Sequence, residues 1–230
     1  AVLSLGGLLA KEGARSTVLT FFGGIPAKSR PHLWDLLCGF LNSNDAIQAR
    51  ERENQKALEL LNVPQKNIVN LPFLGKSYRK WFGASDEKLK AVMLAELMKY
   101  IRTRSSEELN IFAPALEVHK DHRLLKTVLL SAIPLLQKEN IKFFLYQDLP
   151  YSYAIPASRL EPERVSKNTQ LTMVPVPLSD AEVSMKLDAI EAYKSQLGTL
   201  ELLSGRNLTS KVKRFASKQA SQFDVPTGYC

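Results

Sequence analysis

The chain has 230 residues, 45% hydrophobic and 23% charged, an ordinary globular mix with enough apolar material for one large domain or a domain with an appendage. No apolar run reaches the roughly 20 residues that span a bilayer, residues 1–10 lack the basic lead of a secretory signal, and two cysteines, Cys38 and Cys230, are too few for a disulfide framework; a reducing cytoplasm is the expected location. The formal net charge is +8, yet Lys and Arg are spread along the whole chain, which fits a solvated basic surface better than a nucleic-acid partner.

Residues 1–12 suit a helix that reads as the inside of an element, with no initiator Met, so further residues are expected upstream of Ala1. Residues 16–22 form a β-branched and aromatic run closed by Gly23, Gly24 and Pro26, which predicts a buried strand and turn. Over residues 44–61, Ala46, Ile47, Ala57, Leu58, Leu60 and Leu61 flank a charged stretch. This is a helix with one wet face, capped from Ser43, Asn44 and Asp45. Residues 67–71 predict a short strand, 85–101 an amphipathic helix opened by Ser85-Asp86-Glu87-Lys88, and 109–112 a strand ending at Pro114.

Leu124, Leu125, Val128, Leu129 and Ile133 place a helix over 122–136, and an aromatic strand follows over 141–146. After Pro150 the pattern changes: 151–168 is loop-like, 169–177 an edge strand, 179–197 a long helix, and the chain beyond Ser204 turns basic and polar. Strands alternating with helices predict an α/β fold with a mostly parallel sheet covered on both faces. No internal repeat or clean domain boundary interrupts residues 1–230.

Two of the three histidines lie in His119-Lys120-Asp121-His122, after a predicted strand and at the opening of a helix. Ligands bind at such strand ends in parallel sheets. Imidazole nitrogen and carboxylate oxygen are donors that zinc accepts, and this spacing lets both rings approach one small volume across a helix start. Asp121 can accept a ring N–H and fix a tautomer. The same residues equally suit helix capping at a solvated turn, and the pattern alone leaves both readings open.

Other features continue in a definite order. Leu5-Gly6-Gly7-Leu8-Leu9-Ala10 is followed by Val18-Leu19-Thr20-Phe21-Phe22-Gly23-Gly24-Ile25-Pro26, then Trp34-Asp35 with Cys38-Gly39-Phe40, and Arg50 with Glu53 and Ala57-Leu58. Leu71-Pro72-Phe73-Leu74, Tyr78-Arg79, Tyr146-Gln147-Asp148-Leu149-Pro150-Tyr151 and Tyr193-Lys194-Ser195-Gln196 complete the series. In this order the features resemble a bacterial branch of the LmbE-like, or PIG-L, family of zinc-dependent N-acetylglucosaminyl deacetylases, over most of the chain.

The resemblance implies a Rossmann-like three-layer sandwich, a single domain over residues 1–230, and hydrolysis of the N-acetyl group of an N-acetylglucosamine-type sugar conjugate. It implies zinc or another divalent metal held by His122, with His119 polarising or protonating the reacting amide and Asp121 the carboxylate that orients it. Arg50 is the implied substrate contact. The family's first motif, His-Pro-Asp-Asp or a variant, supplies two more ligands and the general base. It precedes the segment matched at residues 1–5, so it is expected upstream of Ala1, and the chain from Ala1 on its own is expected to be metal-poor and inactive. Gly75 and Gln147 stand where this branch often has acidic residues, and 115–118 lacks its glycines; these departures bear on the substrate more than on the reaction.

The expected partner is a small amino-sugar conjugate, with a homo-oligomer compatible with the fold. Trp34 and Trp81 read as packing residues, His32 as a surface or helix-start histidine, and Lys211, Lys213, Arg214 and Lys218 as a solvated helix face. The rival reading is a non-catalytic carbohydrate- or nucleotide-binding Rossmann-like module. A methyltransferase using S-adenosylmethionine ranks below both, because no Gly-rich loop follows a first strand.

Overall fold

The structure, a computed structural model, describes residues 2–79, 86–104, 107–115, 119–136, 140–149, 174–204 and 207–222. In chain order the elements are α1 (Val2–Glu12), β1 (Val18–Thr20), α2 (Leu33–Leu37), α3 (Ser43–Leu60), β2 (Ile68–Asn70), α4 (Asp86–Arg102), β3 (Leu109–Pro114), α5 (Lys120–Ala132), β4 (Ile141–Tyr146), α6 (Asp180–Glu191), α7 (Lys194–Ser204) and α8 (Leu208–Gln222). They fall into two compact units: a terminal unit, Ala1–Tyr78 with Met173–Cys230, and a middle unit, Arg79–Thr172. The expected cap Ser85, Trp81, the loop 151–168 and Cys230 lie outside the described residues.

In the terminal unit, β1 and β2 pair in parallel with Val18 opposite Ile68. Both strands are shorter than the runs 16–22 and 67–71 predicted. Beyond Thr20 the parallel ladder stops: Leu71 N–H donates to Thr20 O at 2.8 Å, Gly23 N–H to Leu71 O at 3.1 Å and Gly24 N–H to Phe73 O at 3.0 Å, and Phe22 meets Pro72 as an isolated antiparallel bridge. Proline has no N–H to continue a ladder.

α1 packs along α6, and Gly6 makes the approach possible: a Cβ there would come within 2.9 Å of Lys186 Cγ. Lys186 is buried in that contact and donates to Ser4 O at 3.4 Å. α3 begins one residue earlier than predicted, because Asn42, not Ser43 or Asn44, is the N-cap and accepts from Asp45 N–H at 2.8 Å. Its Ala46, Ala57 and Leu58, with Leu61, are fully buried, and each buried leucine contributes about 1.5–3 kcal/mol.

The single helix predicted over 179–197 is two helices. Tyr193 breaks it: its hydroxyl donates to Asn54 Oδ1 at 2.8 Å, and Glu53 on α3 accepts from Ser195 N–H at 2.6 Å and from Ser195 Oγ at 2.7 Å. A carboxylate at those N–H groups starts a new helix at Lys194, since the first turn has donors that no carbonyl of its own satisfies. The basic stretch after Ser204 is helical too, as α8. The edge strand predicted over 169–177 is not seen in its described part: residues 174–177 hold one bridge position, at Pro177. Pro175 and Pro177 together remove two ladder donors.

In the middle unit, β3 and β4 pair in parallel over six residues, from Leu109 opposite Ile141 to Pro114 opposite Tyr146. β4 has the predicted bounds, and β3 runs two residues further than predicted. The Phe112 and Phe144 rings stack at 4.9 Å across this pair. α5 lays Leu124, Val128, Leu129 and Ala132 into the core with Met93, Leu97, Met98 and Ile101 of α4, the spacing of one apolar helix face. The α/β class with parallel strands is therefore as the alternation implied.

A candidate active site at the ends of two parallel strands

β3 and β4 finish side by side, with Ala115 N–H donating to Tyr146 O at 2.9 Å. Two residues past β4 comes Asp148, and five residues past β3 comes His119, the N-cap of α5. The polar side chains of this segment thus collect at the carboxyl ends of parallel strands, where such sheets bind ligands.

His122 is held from Asp148: Nδ1 and Oδ2 are 2.8 Å apart. The carboxylate is almost wholly buried, whereas 31% of the imidazole side chain is exposed. This is the arrangement in which a carboxylate fixes a ring through one nitrogen and presents the other for ligation. His119 lies beside it, ring centroids 5.0 Å apart and planes tilted by 48°.

Both readings of His119 are visible in its geometry. Its Nδ1 accepts from Asp121 N–H at 3.3 Å, so it caps α5, and a ring accepting at Nδ1 carries its neutral-state proton on Nε2. Burial, and then the neighbouring His122, hold its pKa below the ordinary imidazole value. A neutral ring with an Nε2–H donor follows. Tyr146, at the end of β4, has its phenol pKa pushed up by burial and then by Asp148.

Asp121 was expected to orient the reacting histidine. Its carboxylate lies 4.0 Å from His119 Nδ1, beyond hydrogen-bond length, and 2.7 Å from Arg79 Nη2. Arg79 therefore anchors Asp121 in the first turn of α5, and Asp148 is within hydrogen-bond distance of the His122 ring. Arg79 and Asp148 both belong to the sequence features named above, but neither carried a role there. For Asp148 the available signal was its place just past a strand end.

Arg50 belongs to the terminal unit. Its Nη2 pairs with Asp35 Oδ1 at 2.7 Å and its Nη1 donates to Tyr78 OH at 3.1 Å, while the Tyr78 hydroxyl lies 2.9 and 3.0 Å from the two Asp35 oxygens. Asp35 Oδ2 also accepts from His32 N–H at 3.0 Å, so His32 starts α2 as a capping residue. Burial works against the Arg50 charge, but Tyr78 and Asp35 outweigh it and raise its pKa. The Tyr78 phenol is pushed up to about 12, by burial and then by its bond to Asp35.

As a metal centre the described site offers one oriented imidazole. Among the described residues no three His, Cys, Asp or Glu side chains converge as metal donors, and a catalytic zinc takes three protein ligands with one position open. His122 fits the part of one of the three.

No family model and no curated protein matches the chain. Solved structures do. The zinc-inhibited form of teicoplanin deacetylase Orf2 superposes with a TM-score of 0.76 at 24% identity, over 100% of this chain and 91% of that one. The A40926 pseudoaglycone deacetylase Dbv21 gives 0.73 at 23% identity, over 100% and 89%. A conserved protein of Thermus thermophilus gives 0.56 at 19%, over 97% and 84%. At these identities the likeness shows the fold alone, an α/β fold that this chain shares with those structures.

Proposed function

We propose that the protein is a metal-dependent N-deacetylase that hydrolyses the N-acetyl group of an N-acetylglucosamine-type sugar conjugate. The observation that carries this reading is the 2.8 Å pair of His122 and buried Asp148 beside His119, at the ends of β3 and β4. The fold likeness to deacetylases of teicoplanin and of A40926 pseudoaglycone supports it.

In this reading His122 would hold a zinc ion, with Asp148 setting the ring's orientation and tautomer. The remaining ligands and the general base come from residues other than those described. When bound, the metal lowers the pKa of a water toward roughly 7 and polarises the amide carbonyl. His119 serves through Nε2–H, donating a hydrogen bond to the amide oxygen as charge develops there. Asp121, tied to Arg79, keeps the first turn of α5 in place, so both rings stay at a fixed separation. Water is consumed, and acetate and a free amino sugar leave.

Arg50 is the proposed substrate contact, and a substrate oxygen there competes with Asp35 and Tyr78 for the guanidinium. Among the described residues no helix is long and apolar enough to cross a membrane. With Cys38 a free thiol, we assign the protein to the cytoplasm.

Acetate release from N-acetylglucosaminyl conjugates by the full-length protein tests the reading. Release that zinc supports and a chelator removes is expected. A full-length protein that binds zinc and releases no acetate from a range of N-acetylated sugars would overturn it.

A further inference from the structure

Residues 25–41 of the terminal unit place apolar side chains outward and a carboxylate inward, the reverse of an ordinary surface segment. α2 opens at the His32 cap and closes at Gly39, whose φ of +84° provides the left-handed turn that a helix end requires. Within it Asp35 is 0% exposed, spent on Arg50, Tyr78 and its own helix cap. Leu33, Leu36, Leu37 and Leu41 are 66%, 48%, 52% and 84% exposed, and Ile25 is 50% exposed. α7, whose Thr199 hydroxyl donates to Leu37 O at 3.0 Å, carries a further exposed leucine, Leu202.

The charges of this segment have one sign. Lys28 and Arg30 are exposed, and Asp35 is the only carboxylate from residue 13 to residue 44. Exposed leucines with adjacent cations, and no exposed anion from residue 25 to residue 41, match the interface of an anionic bilayer, which takes apolar side chains at the acyl boundary and cations at the headgroups; the exposed Asp45 lies beyond, in the first turn of α3, where it is bonded to Asn42. A second copy of the chain is a poorer occupant: a two-fold interface sets the same patch against itself and brings Lys28 and Arg30 of both copies together.

We propose that α2 and its flanking loop form a peripheral docking surface for anionic lipid membranes, with Leu33, Leu36, Leu37 and Leu41 entering the interface and Lys28 and Arg30 meeting lipid phosphates. None of these residues belongs to the site at His119 and His122, so the proposal stands apart from the deacetylase reading.

The test is co-sedimentation of the full-length protein with phosphatidylcholine vesicles containing 30% phosphatidylglycerol, against phosphatidylcholine alone. Binding to the anionic vesicles is expected. It should weaken about tenfold or more in Lys28→Glu/Arg30→Glu and in Leu33→Ser/Leu37→Ser/Leu41→Ser, with unchanged circular dichroism, and fall as salt rises. Absence of binding to the anionic vesicles would overturn the proposal, as would equal binding by the charge-reversal variant. Light scattering that shows a dimer of wild type, lost in the triple serine variant, would also overturn it and assign the patch to a second copy.

Discussion

Asp35 and Asp148 are both almost wholly buried beside side chains that can carry positive charge, but their surroundings differ. Asp35 sits in a closed set: Arg50, Tyr78 and the backbone of His32 all use its oxygens, and the group serves to hold α2, α3 and the turn at Tyr78. Asp148 holds His122, whose imidazole is partly exposed next to a second, 42% exposed imidazole. A buried carboxylate that meets a guanidinium and a phenol inside the protein stabilises; one that holds a ring reaching solvent prepares a group for chemistry.

This contrast predicts separable consequences. Asp35→Asn leaves the partly buried Arg50 charge without its counterion and should cost about 3 kcal/mol of stability, read from the denaturant midpoint. Asp148→Ala should leave that midpoint nearer wild type but lower zinc affinity or acetate release by about 10 to 100-fold. If both variants lose stability equally and Asp148→Ala keeps full activity, the distinction collapses. Tyr78→Phe removes one hydroxyl from the closed set and should cost about 1 kcal/mol, read from the same midpoint.

The smallest effect concerns pH. The folded-state pKa of His119 is lowered, by burial and by His122, from 6.5. As pH falls, the unfolded chain takes up that proton first. The His119 contribution is therefore complete above about pH 6.5 and is lost as pH falls through that value toward the folded pKa. His119→Asn keeps a good N-cap residue and should flatten the fall in stability between pH 7 and pH 5, measured from denaturant midpoints at both ends.

Local signals in the sequence were sufficient for the elements whose partners lie nearby. The aromatic run of β4 and the apolar stripe of α5 were legible because each is governed by its own periodicity. The break between α6 and α7 was not, because its cause, Glu53, lies 142 residues away from Ser195. The site divides in the same way. His119 and His122 stand three apart on one helix start and announce themselves. Asp148 is 26 residues from His122, and Asp35 is 43 from Tyr78, so their bonds exist only once the strands and helices have assembled. Asp121 shows a partner that adjacency did not suggest: its Oδ1 pairs with Arg79 at 2.7 Å, while its Oδ2 stands 4.0 Å from His119 Nδ1.

The central claim is that the His122 and Asp148 pair is the working part of a deacetylase. Acetate release by the full-length protein with zinc, compared with His122→Ala and with Tyr78→Phe at equal folded concentration, tests it most directly. The account predicts release by wild type and Tyr78→Phe and its loss in His122→Ala, together with loss of bound zinc. His122→Ala retaining wild-type release and zinc content would contradict it.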